Sequence, residues 1–289
     1  MVIAAVTLGM YIWDICISLK DDYELLVLLA AKAHPFPTFV YFVARWTTLG
    51  TILTTALQVI PTSLSKNCVV LGNTSSGFGV IALGSITFLF FLRFRGVYHD
   101  SRSLTILFFA IWLGNLGCAC MAAFIWTKPY SVELAGSTYC SADGFRIPYA
   151  SIAVIGPLVH DTCVFLAISY RLFQNSVPSS AQTKSDLRTY VLGKNLPRLH
   201  RVLFIDGQVL YLITVLGSTS ATILLYIPSI PQPYRLIIFL PQIALTSSVG
   251  CRVFRDTRLE KMVDQDSNLS LPLIRVSRIS QFNSNVINR

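Results

Sequence analysis

Sixteen consecutive uncharged residues, Gly77 to Leu92, stop abruptly at Arg93, Arg95 and Arg102. Extended by a few residues each way, a run of this kind crosses a hydrocarbon core of about 30 Å as a helix. Lys and Arg are retained on the cytosolic side during insertion, so the arginines mark that side. One span with one orientation sets the sidedness of its neighbours. Composition agrees: 53% of the 289 residues are hydrophobic and 13% are charged, against about 25% charged in a soluble domain. The net charge of +9 sits in short clusters between apolar runs. It does not form the extended basic face of a nucleic-acid binder, and no nucleic acid is expected as a partner.

Seven apolar runs are expected to span, at about 2–19, 38–60, 77–94, 104–126, 149–170, 202–227 and 235–254. A signal peptide is the competing reading of the first. Against it stand the missing basic n-region, Asp14 inside the run and the lack of a small-residue cleavage site. Residues 20–37 read as a polar loop closed by His34-Pro35-Phe36-Pro37, where two prolines favour extended backbone. The stretch 61–76 reads as an outer loop holding Lys66, Cys68 and the sequon Asn73-Thr74-Ser75, so Asn73 is a glycosylation candidate. A second outer loop, 127–148, carries Cys140. The connection 171–201 is long, polar and basic. Residues 259–289 read as a polar, basic tail, the composition of a disordered segment.

The basic residues test this layout. With span-end residues assigned to the nearer side, only Lys66, Lys128, Arg146 and Arg235 fall outside, and the other nineteen of the 23 Lys and Arg fall inside. That asymmetry supports an all-α membrane protein with seven transmembrane helices, N-terminus outside and C-terminus cytosolic. The membrane domain is 1–258, the tail is 259–289, and the expected location is the plasma membrane or another membrane of the secretory pathway.

The stretch WDICISLKDDYELL, residues 13–26, has a WDxxxxLxDD pattern and is followed by Arg45 in the second run. It resembles a domain of unknown function at the N-terminus of basidiomycete fungal multi-pass membrane proteins. FLRFRGVY (91–98), DTCVFLAISYRL (161–172), DGQVLYLITV (206–215) and SSVGCRVFRDTRLE (247–260) are similar to later stretches of the same proteins. The resemblance covers most of residues 10–260. It implies a seven-helix membrane protein and no particular reaction.

Ionisable groups inside the spans are the candidates for function, because a charge at bilayer depth is costly. His160 and Asp161 lie near the middle of the fifth run and are the candidate ligand site. A catalytic zinc needs three protein ligands and a water. The other histidines, His34, His99 and His200, fall in expected cytosolic loops, so no metal and no cofactor is expected. There is no G-x-S-x-G and no phosphate-binding G-x-x-x-x-G-K-[ST], and the chain does not read as an enzyme. Gly72, Gly77, Gly79, Gly114 and Gly117 are expected to admit close helix packing. Trp13, Trp46, Trp112 and Trp126, with Tyr11, Tyr130 and Tyr149, are read as interface anchors.

Asp14 lies about 9 Å inside the first run and Arg45 about 12 Å inside the second, counting 1.5 Å per residue from Lys20 and Pro37. A direct Asp14–Arg45 pair between adjacent helices is therefore expected, with Asp206 and Arg252 as a second intramembrane pair. Cys68 and Cys140 fall on the oxidising side and are expected to form a disulfide, while the other five cysteines stay reduced.

This architecture is that of G-protein-coupled receptors, but their specific signatures are missing. The third run ends in RFRGVYHD without a D/E-R-Y triplet, the sixth lacks a central proline, and the seventh lacks N-P-x-x-Y. The favoured reading is a receptor-like bundle sensing an unknown ligand, in contact with the lipid bilayer and with a cytosolic signalling partner at 171–201 and the tail. A transporter or channel for a small solute is the alternative. A membrane protein with a structural or interaction role and no catalysis is the third. Few polar residues inside the runs and no internal repeat weigh against transport.

Overall fold

The computed structural model describes residues 2–30, 35–59, 67–98, 101–124, 128–134, 137–143, 147–176, 198–227 and 238–258. Their helices are α1 (Val2–Ile17), α2 (Leu19–Ala30), α3 (Pro35–Val59), α4 (Cys68–Val97), α5 (Arg102–Phe124), α6 (Ile147–Ser176) and α7 (Arg198–Tyr226). A further helix, α8, covers residues 239–258. A two-stranded hairpin, β1 (Lys128–Leu134) and β2 (Ser137–Asp143), separates α5 from α6. The chain forms two compact units, Met1–Cys251 and Arg252–Arg289.

Among the described residues, α4 and α5 are each long and apolar enough to cross a membrane. Together α1 and α2 as far as Val27 make a third such segment, bent by 56°. The bend has a local cause. Ser18 Oγ donates to the Asp14 carbonyl at 2.7 Å, the oxygen that also accepts from the Ser18 amide at 3.2 Å. A serine bonding back to residue i−4, and a side chain inserted into the ladder, both bend helices. Here the inserted group is Arg45 of α3, whose Nη2 reaches the same carbonyl at 3.4 Å. The expected polar loop at 20–37 is thus largely helix, with Asp21 and Asp22 in the first turn of α2, where carboxylates suit the helix dipole.

The pairing of α3 with α4 is the most extensive between elements. It explains why α4 starts at Cys68, nine residues before the expected span begins at Gly77. Thr74 Oγ1 bonds the Val70 carbonyl at 2.8 Å, Ser75 Oγ meets Thr55 Oγ1 at 3.0 Å, and Gln58 Nε2 donates to the Leu71 carbonyl at 3.4 Å. Thr74 is satisfied within the helix and Ser75 against α3, so this stretch extends α4 where an outer loop was expected. Likewise 127–148 is no simple loop. Its strands pair in register from Lys128 with Asp143 to Leu134 with Ser137.

The packing of α4 makes it the central helix: it touches α3, α5, α6 and the hairpin. Phe90, Phe91 and Phe94 are buried along it, and Phe94 stacks on Phe108 of α5 at 4.1 Å between centroids. By contrast, α5 shows one apolar face outward, with Ile106, Leu107, Leu113 and Met121 exposed. Gly114 and Gly117 lie on that open side with nothing within 4 Å of a built Cβ, which corrects their expected packing role. The close approaches are elsewhere. A Cβ on Gly217 of α7 would sit 2.5 Å from Gln242 Oε1 of α8. Tyr11, expected as an interface anchor, is buried in the core with Ala4, Ile52, Ala56, Leu240 and Ala244.

Candidate functional site

Two groups of buried polar side chains lie in the first unit. One is built on Arg45, which is 2% exposed on α3. Arg45 Nε lies 3.1 Å from Asp22 Oδ2 of α2, an ionic contact without the alignment of a hydrogen bond. Nη1 donates to the Tyr41 hydroxyl at 3.0 Å, one turn back on α3. That hydroxyl in turn donates to Asp22 Oδ1. Nη2 donates to Ser18 Oγ and to the Asp14 carbonyl. The guanidinium also lies 5.9 Å from the Tyr41 ring centroid. Cation, phenol and carboxylate close a ring of contacts across α1, α2 and α3.

The expected partner of Arg45 is therefore corrected. The carboxylate that meets it belongs to Asp22, and Asp14 contributes its main-chain oxygen. The bend at Ser18 is the reason. It carries the first turn of α2 across the face of α3, so the residue eight positions beyond Asp14 is the one that arrives.

A second set of bonds extends this group to α8. The Tyr11 hydroxyl lies 3.1 Å from the Arg45 carbonyl, to which it donates, and 3.0 Å from Ser247 Oγ. Thr48 Oγ1 lies 2.7 Å from the Ala44 carbonyl, to which it donates, and 3.0 Å from Ser247 Oγ. Tyr41, Thr48 and Ser247 are each 0% exposed.

The other group lies between α4, α6 and α7. His160 is 0% exposed, and its Nδ1 lies 3.1 Å from Asp161 Oδ1. Its Nε2 is buried with no hydrogen-bond partner among the described residues. Tyr211 of α7 is packed between Phe90 at 5.0 Å and Phe165 at 6.1 Å. The Tyr211 hydroxyl is also buried without a partner among those residues. Arg93 of α4 lies over the Tyr211 ring, 5.3 Å from its centroid, and within electrostatic range of its hydroxyl, while its Nη1 makes no aligned hydrogen bond among the described residues. Asp161 lies within electrostatic range of Tyr211. One turn before His160, a Cβ on Gly156 would meet Asn115 Oδ1 of α5 at 2.5 Å, and Asn115 Nδ2 has no partner. Buried polar atoms left unsatisfied are uncommon, since each costs about 1–3 kcal/mol.

The remaining candidates divide as follows. Arg252 contacts Asp256 one turn on in its own helix, Nε to Oδ2 at 4.0 Å, with both side chains well exposed. The Asp206 side chain lies outside the described residues. Cys68, at the start of α4, is disulfide-bonded. Cys16, Cys118, Cys120, Cys163 and Cys251 are outside any disulfide. Cys140 stands on β2 opposite Ser131, and its side chain is outside the described residues. Asn73 is exposed on α4. The connection 177–197 and the tail are outside the described residues.

Asp22 was missed because residues 20–37 read as a loop, and Ser18 and Tyr41 because each is an ordinary polar residue of an apolar run. The available signal was two acidic residues opening a leucine-rich stretch at helical spacing. Tyr211, Arg93 and Asn115 were missed because each is the ordinary polar residue of an otherwise apolar run, and nothing local shows that three runs converge. No protein-family model matches the chain, and a search of curated proteins finds no match.

Proposed function

We propose that the chain is a seven-helix integral membrane protein, N-terminus outside, that senses a ligand through the group around His160, Asp161 and Tyr211 rather than catalysing a reaction. The supporting observation is a set of buried polar atoms there with no aligned hydrogen-bond partner among the described residues: His160 Nε2, the Tyr211 hydroxyl and Arg93 Nη1. A bundle core that leaves such atoms unsatisfied beside a carboxylate suits a polar guest that bonds to them. His160 stands about 20 Å from the start of α6 and Tyr211 about 20 Å from the start of α7, so both are near the middle of their helices.

Two separate features support this topology. A disulfide at Cys68 favours an oxidising compartment at the start of α4. The arginines at its other end favour the cytosol there. In this reading α1 with the beginning of α2 makes one crossing, and α3 to α8 make six more. The partner of Cys68 is Cys140, the cysteine that is not among the five outside any disulfide. A cytosolic signalling partner docks at 171–201 and the tail. The resemblance to basidiomycete multi-pass proteins implies the same seven-helix plan.

The function is tested with purified full-length chain in liposomes. A receptor supports no solute flux and shows ligand-dependent association with a cytosolic G protein, lost in Asp161→Asn. Flux of a small solute through the reconstituted protein overturns the reading in favour of transport. The topology is tested by glycosylation mapping: Asn268, in the Asn-Leu-Ser sequon of the tail, stays unmodified.

A further inference from the structure

Helix α2 divides into three faces. At 100° per residue, Leu19, Tyr23, Leu26 and Val27 fall on one side. They are 51–71% exposed. Asp22 and Leu25 fall on an adjoining side and are buried, 8% and 1% exposed, Asp22 against Arg45 of α3. Lys20, Asp21 and Glu24 occupy the third side. A helix needs only one apolar face to pack on its own protein. Here the protein-facing side is already supplied by Leu25 and the Asp22–Arg45 pair, and a second apolar stripe is left outward.

That stripe continues one on α1. Val6, Met10, Trp13 and Ile17 are exposed along α1 at the same three- and four-residue spacing, and Leu19 follows directly across the bend. The sixteen residues of α1 are about 24 Å long. That is somewhat short of a hydrocarbon core of about 30 Å. The chain therefore reaches the edge of the core close to Ser18, where it turns by 56°. A second copy of the chain is a poor occupant. Taken together, the outward stripes of α1 and α2, about 42 Å long, cover on the order of 400 Å², about half of the roughly 800 Å² per partner of a stable interface.

We infer that α2 is an interfacial helix, lying along the boundary between acyl chains and headgroups with Leu19, Tyr23, Leu26 and Val27 in the bilayer and Lys20 and Glu24 toward water. The inference depends on the chain being a membrane protein and not on its being a receptor. The exposed charges of α2, Lys20 and Glu24, balance one another and leave no basic face. Contact with the bilayer is consequently apolar, with zwitterionic phospholipid sufficient and no requirement for anionic lipid. The Asp22–Arg45 pair then fastens a helix that follows the membrane plane to one that crosses it.

The test places a photoactivatable benzophenone amino acid at Tyr23, Glu24, Leu26 or, as a reference on α5, Leu113. All four side chains are exposed, so none of the replacements enters the core. The full chain is reconstituted in phosphatidylcholine vesicles, irradiated and analysed by mass. Lipid adducts at positions 23 and 26 are expected at least about fivefold above those at 24, undiminished by salt. Adducts at Leu113 with no excess at 23 and 26 over 24 overturn the inference and leave the membrane reading intact. Protein–protein adducts at 23 and 26 in place of lipid overturn it in favour of a second copy. No lipid adduct at Leu113 removes the membrane reading and the inference together.

Discussion

Arg45 and His160 are equally hidden, at 2% and 0% exposure, but their surroundings are opposite in kind. Around Arg45 the guanidinium reaches two hydroxyls, a main-chain carbonyl and a carboxylate drawn from three helices. Around His160, three helices bring together polar atoms that find no aligned hydrogen-bond partner among the described residues. A charge in an apolar bundle is tolerated when its bonds are filled, and then it acts as a fastener between helices. Polar atoms whose bonds are unfilled lower stability wherever they sit, so their placement suits a role in recognition. Satisfaction of hydrogen bonds, and not burial, separates the structural group from the candidate functional one.

The largest effect is expected from Arg45→Ala. It leaves the buried Asp22 without its cation and should cost about 3–5 kcal/mol, as for a buried ion pair that loses one partner. Denaturant unfolding in detergent measures it. A loss under about 1 kcal/mol would place the pair among exposed ion pairs and dissolve the contrast.

One substitution made in both regions sharpens the contrast further. Tyr41→Phe removes a hydroxyl that accepts from Arg45 and donates to Asp22, and should cost about 1.5–3 kcal/mol. Tyr211→Phe removes an unpartnered hydroxyl and should leave stability unchanged or raise it by up to about 1 kcal/mol. Equal losses in the two variants would show that the Tyr211 hydroxyl is satisfied after all.

The helix carrying Tyr211 is held against α8 by Gln242, whose Nε2 donates to the Thr214 carbonyl at 3.2 Å and to Ser218 Oγ at 2.6 Å. Gly217→Ala pushes a methyl into that amide and should cost at least about 1 kcal/mol. Gly114→Ala, into open space, should instead gain up to about 1 kcal/mol of helix propensity. Paired melting curves distinguish the two. The smallest effect belongs to Asp14→Asn, which keeps the main-chain oxygen that Arg45 uses and should change stability by less than about 0.5 kcal/mol. A large loss there would return Asp14 to the pair.

The chain's sequence, read alone, determined where the apolar helices lie and which of their ends are basic. Both properties add up residue by residue along a stretch, so Gly77 to Leu92 announces a helix core without reference to anything distant. It also singled out Arg45, His160 and Asp161, because an ionisable residue in an apolar run is conspicuous by itself. Only the tertiary structure decided that Arg45 meets Asp22 and not Asp14, because the bend that Ser18 and Arg45 create is the outcome of the contact. It likewise decided that Gly217 and not Gly114 is a close approach, and that Tyr211 and Arg93 join the group around His160. Those pairings depend on the rotation of each helix about its own axis. That rotation is set by the helices packed around it, and no single stretch of sequence contains it.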